Sequence, residues 1–228
     1  MKENTKVCFH DLPDLSDYKN TWEFQEKLQK EIIDLKLSGI DNPAGHLIFC
    51  EHPHVYTLGR FGNEQNLLLD TLKLNSTGAQ FFHIDRGGDI TYHGPGQLVG
   101  YPIFNLEAMG LGVKSYIHKM EESIIEVLKQ FNINAERLDG ATGVWIDTDN
   151  PKKTRKICAM GVKVNRGVSM HGFALNVNTD LSYFNHINPC GFTDKSVTSI
   201  EKETGNEIYL YSVKEKLLQV MKKKFHFK

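Results

Sequence analysis

The order of periodic segments constrains this chain more than any other feature: strand-like runs come in groups between a few helix-like ones, without regular alternation of the two. A helical pattern spans Tyr18–Leu37, with Tyr18, Trp22, Leu28, Ile32 and Leu35 near one face, Ser16 or Asp17 available as a cap and Gly39 as a stop. Strand-like runs follow at 46–51, Val55–Leu58, 81–84 and 98–104, the last two separated by a glycine-rich stretch. A second apolar stripe, Val113, Ile117, Met120, Ile124, Val127 and Phe131, predicts a helix over 113–131. Strands are expected near 144–147, 157–164 and 170–177, and a last helix near 212–225 ends in lysines that suit the negative end of its dipole. Parallel α/β folds need βαβ alternation, so the pattern predicts α+β with a mixed or antiparallel sheet flanked by helices. No internal repeat or low-complexity linker interrupts it, and one domain over 1–228 is expected.

Composition removes several classes of function. The chain has 228 residues, 40% hydrophobic and 24% charged, an ordinary globular balance. A net charge of -1 argues against a nucleic-acid or anionic-membrane partner. Two basic runs stand out, Lys152, Lys153, Arg155, Lys156 and Lys222, Lys223, Lys224, neither interleaved with aromatics as a single-strand groove would be. No apolar stretch nears the roughly 18 residues that span a bilayer, and the polar start MKENTK does not read as a secretory signal. A cytoplasmic location is expected. Cys8, Cys50, Cys158 and Cys190 form no CxxC pair, so a special cysteine here would be special as a thiol.

The densest local signal runs from Arg86 to Gln97: Arg86-Gly87-Gly88-Asp89-Ile90-Thr91-Tyr92-His93-Gly94-Pro95-Gly96-Gln97. Its glycines permit positive φ and close approach of a ligand to the backbone. It is neither a Walker A loop nor a dinucleotide-binding GxGxxG. Arg86 and His93 suit an anion or a carbonyl; a tight loop with satisfied polar groups accounts for the composition equally well. His52, His54 and the other histidines lack HExxH or a third ligand at recognisable spacing, although strand alternation would put His52 and His54 on one face. No metal and no cofactor is expected, and His52, His93 and His171 read as hydrogen-bonding residues around a pocket.

Beyond the residue types, the stretch 86–97 continuing to Tyr101-Pro102 resembles the hallmark of the lipoyl(octanoyl) transferases. Glu51-His52-Pro53 with Tyr56-Thr57-Leu58-Gly59 is similar to that family's early strand pair. Lys156-Ile157-Cys158-Ala159-Met160-Gly161, His171-Gly172-Phe173-Ala174-Leu175-Asn176 and Asn188-Pro189-Cys190-Gly191 resemble its later motifs, in its order. The motif-bearing core spans about 46–200. The resemblance implies the fold of biotin and lipoate protein ligases, and transfer of an octanoyl group from octanoyl-acyl carrier protein to the lysine of lipoyl domains, in 2-oxoacid dehydrogenase complexes and the glycine cleavage H protein. It places the nucleophile at Cys190 and the general acid/base at Lys156. It places acyl binding at Arg86, Gly87, Gly88, Asp89, Ile90, Thr91, Tyr92 and His93, at Ala159, Met160 and Gly161, and at Gly172, Phe173 and Ala174.

From the residues alone, Cys190 in its Pro/Gly turn is either nucleophile or structural thiol, and Lys156 is either a catalytic group or the last cation of a solvated run. The pair makes chemical sense. A cysteine of pKa about 8.5 is mostly thiol at pH 7, and a lysine about 4 Å away would favour the thiolate by up to about 4 kcal/mol at an effective dielectric near 20. Lysine left neutral after protonating the departing carrier thiol could then deprotonate the acceptor amine. His93 stands as the alternative base. Three other functions compete: an ATP-dependent ligase, which needs no nucleophilic cysteine; an amidotransferase drawing octanoyl from another protein's lysine; and an inactive carrier-binding module.

Overall fold

The computed structural model describes residues 6–13, 15–39, 45–188 and 196–227. In chain order its elements are β1 (Val7–Asp11), α1 (Tyr18–Leu37), β2 (Gly45–Cys50), β3 (Val55–Leu58), α2 (Thr71–Ser76), β4 (Gln80–His83), β5 (Ile90–His93), β6 (Gln97–Phe104), α3 (Val113–Lys129), β7 (Glu136–Leu138), β8 (Ala141–Ile146), β9 (Arg155–Asn165), β10 (Val168–Asn176), β11 (Ser196–Val197), α4 (Ile200–Thr204) and α5 (Leu210–Phe225). Short 3-10 turns cover Glu64–Asn66 and Leu181–His186.

The large sheet runs β1-β2-β6-β10-β9-β8-β7, with β11 added beside β9. Its pairs are antiparallel except β1–β2 and β9–β11, so the expected mixed sheet is found. A small sheet, β4-β3-β5, lies apart from it.

Strand alternation sorts the two faces of the large sheet. On β6, Leu98 and Phe104 join Tyr116, Met120 and Ile124 of α3 and Leu217 and Met221 of α5 in the main core. The residues between them, Val99, Tyr101 and Ile103, face the other way and meet Leu28, Ile32 and Ile33 of α1. Both faces are covered, so all eight residues of β6 and all nine of β10 are buried. Helix α1 begins where Asp17 caps it, its carboxylate accepting from the Asn20 amide at 2.9 Å.

Several boundaries differ from the pattern-based expectation. The glycine-rich stretch contains a strand: Ile90–His93 is β-branched and aromatic and pairs antiparallel with β3. The helix expected over 113–131 ends at Lys129, and Asn132 follows with φ 58°. Helix α5 starts two residues early, at Leu210. Strands β7 and β11, of three and two residues, are too short to show a period of their own, and the five-residue β1 is not expected from the pattern.

Candidate active site

A small cavity lies where α1, β5 and the middle of β6, β9 and β10 converge. Strand alternation divides the glycine-rich motif around it. Thr91 and His93 face the cavity. Ile90 and Tyr92 point away into a cluster with Tyr56 and Leu58. Asp89 turns toward another loop, where it accepts from the Asn66 amide side chain at 2.6 Å. Arg86 lines the cavity and is held by Thr57, its Nη2 donating to the carbonyl at 2.8 Å and to Oγ1 at 3.0 Å. Gly87 and Gly88 are not among the lining residues, but the Gly87 amide donates to the Val162 carbonyl at 3.0 Å. That contact brings the loop against β9 so closely that a Cβ on Gly161 would sit 2.5 Å from the Gly87 oxygen.

From β9 and β10 the walls are Ala159, Met160 and Gly161, and Gly172, Phe173 and Ala174. Tyr18, Val99 and Tyr101 complete the lining together with His171, and sequence reasoning assigned the first three no site role. The period of β6 puts Val99 and Tyr101 on one face, a signal that was present but had no partner to fix which face mattered.

The cavity histidines are neutral by construction. His93 Nδ1 meets Gln97 Oε1 at 2.8 Å, and burial, with His52 nearby, drives its pKa down to about 3. Burial therefore disfavours the protonated form of His93. His52 donates from Nδ1 to the Ser16 carbonyl (2.7 Å) and meets the Tyr101 hydroxyl through Nε2 (2.8 Å); burial lowers its pKa to about 4. His54 does not share that face. Residues 51–54 are not strand, and His54 instead stacks on Tyr183 with centroids 4.3 Å apart and bonds the Tyr92 hydroxyl.

His171 adopts φ 60° within β10, and its amide donates to Gln25 Oε1 of α1 at 3.1 Å. Its Nε2 lies 3.1 Å from Asp85, whose other oxygen pairs with Lys163. The His171 hydrogen bond and the Lys163 cation hold the Asp85 carboxyl well below the usual carboxylate range, while burial lowers His171.

Lys156 departs from the basic run that precedes it. Lys152 and Lys153 are exposed in the turn, and Arg155 is tied to Glu203 and Asp147. Lys156 sits half-buried on β9 between Trp145 of β8 and Val197 of β11, its Nζ 4.4 Å from the centre of the Trp145 ring. Cys190 lies outside the described residues. The described chain approaches it at Asn188, whose amide donates to the Asn66 carbonyl at 2.8 Å, and leaves it at Ser196, paired with Arg155. Cys50 and Cys158 are fully buried, and burial pushes both thiols up. Among the described residues no group of three or more His, Cys, Asp or Glu could hold a metal, and no helix is long and apolar enough to cross a membrane.

The architecture is that of the lipoate protein ligases. An archaeal bipartite lipoate protein ligase from Thermoplasma acidophilum, studied with its E2 lipoyl domain, superposes with TM-score 0.71 at 15% identity, covering 99% of this chain and 85% of that one. Lipoate-protein ligase A bound with ATP gives 0.70 at 16%, covering 99% and 87%. In sequence, an octanoyltransferase of Cytophaga hutchinsonii is 52% identical over 95% of this chain and 91% of its own length, and the lipoyl protein ligase A/B catalytic domain matches residues 17–222. The chain belongs to that catalytic-domain family, within its octanoyltransferases.

Proposed function

We propose that the protein transfers an octanoyl group from octanoyl-acyl carrier protein to the lysine of a lipoyl domain, through a thioester on Cys190 with Lys156 as acid and base. The observation that carries this is positional. Lys156 and the cavity wall Ala159–Gly161 share strand β9, about 10 Å apart at roughly 3.3 Å per residue. Apolar and small groups there, Val99, Met160, Phe173 and Ala174, suit an extended alkyl chain whose carbonyl end lies toward Lys156.

In the first half-reaction the Cys190 thiolate attacks the thioester carbonyl. The tetrahedral adduct expels the carrier's phosphopantetheine thiolate, which takes a proton from Lys156. In the second, the acceptor lysine is more than 99% protonated at pH 7 and must lose a proton to attack. Neutral Lys156 receives it, the freed amine attacks the acyl carbonyl, the tetrahedral adduct gives up its second N–H proton to solvent as the amide forms, and the Cys190 thiolate leaves. Thioester to amide runs downhill, so ATP has no step to drive. The likeness to ligases of under 20% identity extends to the fold, and the acyl donor separates the activities. Residues 1–228 would act as one catalytic unit, in the cytoplasm, on lipoyl domains of the 2-oxoacid dehydrogenase complexes and the glycine cleavage H protein.

Incubation with octanoyl-carrier alone, followed by intact-protein mass spectrometry, should show one octanoyl group on Cys190, labile to hydroxylamine and absent in Cys190→Ala. An adduct on Cys158, or full transfer by Cys190→Ala, would overturn the assignment. Transfer from free octanoate that requires ATP would place the protein among the ligases.

A further inference from the structure

A buried chain of hydrogen bonds connects the cavity to Lys156 through a residue with no assigned role. His93 Nδ1 meets Gln97 Oε1 (2.8 Å); Gln97 Nε2 donates to the Tyr92 carbonyl (3.1 Å) and to Asn176 Oδ1 (2.9 Å). Asn176 Nδ2 donates to the Thr198 carbonyl (2.9 Å), and the Thr198 amide donates to the Lys156 carbonyl (2.9 Å). His93, Gln97, Asn176 and Thr198 are all less than a tenth exposed.

The orientation of each amide follows from its partners. Backbone carbonyls only accept, so the nitrogens of Gln97 and Asn176 must face Tyr92 and Thr198, and the proton of His93 must sit on Nδ1. Asn176 is the junction. It ends β10, receives the bond from β6, and braces the chain just past β11. Strand β11 is only two residues long and holds β9 at Arg155 and Lys156. A strand so short has little pairing of its own, so a buried side chain bonded to the carbonyl that follows it matters to where it lies.

We propose that Asn176 is a positioning residue for the transfer reaction: through Thr198 it fixes the β11 edge of β9 and so the place of Lys156, while through Gln97 it fixes His93 as a neutral acceptor on the cavity wall. This rests on the acid–base role of Lys156 given above.

The test uses the full chain with octanoyl-carrier and a lipoyl domain. Asn176→Ala should lower kcat about tenfold to a hundredfold, the scale of misplacing a reacting group by an ångström, with KM for the carrier nearly unchanged. It should also raise the pH at which Cys190 is alkylated by iodoacetamide, as is expected of Lys156→Ala, and add little further loss in the Lys156→Ala background. Asn176→Asp keeps the shape, and its neutral carboxyl can still donate to Thr198. Its rate relative to the parent should fall as pH rises and the carboxyl ionises, and this variant serves if the alanine one does not fold. Parent-like rates and alkylation profiles in folded variants would overturn the inference, as would a loss that persists in full without Lys156. Absence of any octanoyl adduct on parent Cys190 would instead sink the functional reading beneath it.

Discussion

The two faces of β6 are built from alternate residues of the same eight, yet they behave as different materials. Toward α3 and α5, Leu98 and Phe104 enter an apolar core in which the Phe104 ring meets Tyr116, Phe225 and Phe227 edge-on, at 6.3, 5.4 and 5.9 Å. On the opposite face the strand reads Gln97, Val99, Tyr101, Ile103: Ile103 packs with α1, Val99 and Tyr101 line the cavity, and Gln97 bonds His93 of its wall. One face holds the sheet together through area removed from water. The other borders a cavity whose Arg86, His93, Tyr101 and His171 are held from outside by Thr57, Gln97, His52 and Asp85, so that positioned polar groups stand beside apolar walls. Stability and chemistry are therefore separable by substitution.

The sharpest break between them should come at Phe104. Its side chain is fully buried in the apolar face and is not among the residues that line the cavity. Phe104→Ala should cost about 3–5 kcal/mol of stability, read as a fall in denaturant midpoint. The folded fraction, assayed well below the new midpoint, should acylate Cys190 at the parent rate. A large loss of acylation in folded protein would show that the two faces are coupled.

Next in size is the contrast between two lysines three positions apart. Lys156→Ala should lower transfer by about a hundredfold, the usual cost of a lost acid–base group, and should shift the Cys190 alkylation profile to higher pH. Lys153→Ala, exposed in the turn, should change either by little, since an exposed charge is worth under about 1 kcal/mol. Equal effects would make the whole run a diffuse docking patch for an acidic carrier and leave the base unassigned.

Such contrasts also show what was legible before the structure. The helix stripes of α1 and α3 and the order of strand groups sufficed for the fold class, because periodicity survives without knowledge of partners. The motif 86–97 marked the cavity but not its division: Thr91 faces in and Ile90 out only because β5 pairs with β3. Lys156 could not be told from Lys152 and Lys153 by spacing, since what separates them is that β8 and β11 flank the start of β9. Gln97 and Asn176, 79 residues apart, meet only through tertiary structure, and no local pattern announces a pair of that kind. Cys190 was singled out by its Asn-Pro-Cys-Gly context and its family match, and it lies outside the described residues.

The smallest effect expected is one of pH, at the edge where the two faces meet. Glu203 of α4 receives Arg155 through both oxygens, at 2.7 Å each, and the Thr198 hydroxyl at 2.5 Å, so it ties the helix to the first residue of β9. The Arg155 hydrogen bonds, opposed by desolvation and helped by Thr198, hold its carboxyl below the usual range. A carboxyl depressed by folding adds stability that is complete above its unfolded pKa, about 4.3, and disappears as pH falls through the lower folded value. Glu203→Gln should therefore be less stable than the parent at pH 7 by about 1 kcal/mol, discounted from a buried charged bond because both partners still touch solvent. The difference should shrink steadily below about pH 4, where the parent carboxyl takes up its proton. Because Thr198 also bonds Lys156 through its backbone, any change in transfer should be smaller than that of Asn176→Ala, whose bond holds the Thr198 carbonyl itself. A stability gap that stayed constant from pH 7 to pH 3 would mean that the loss comes from packing of α4 and not from the charge.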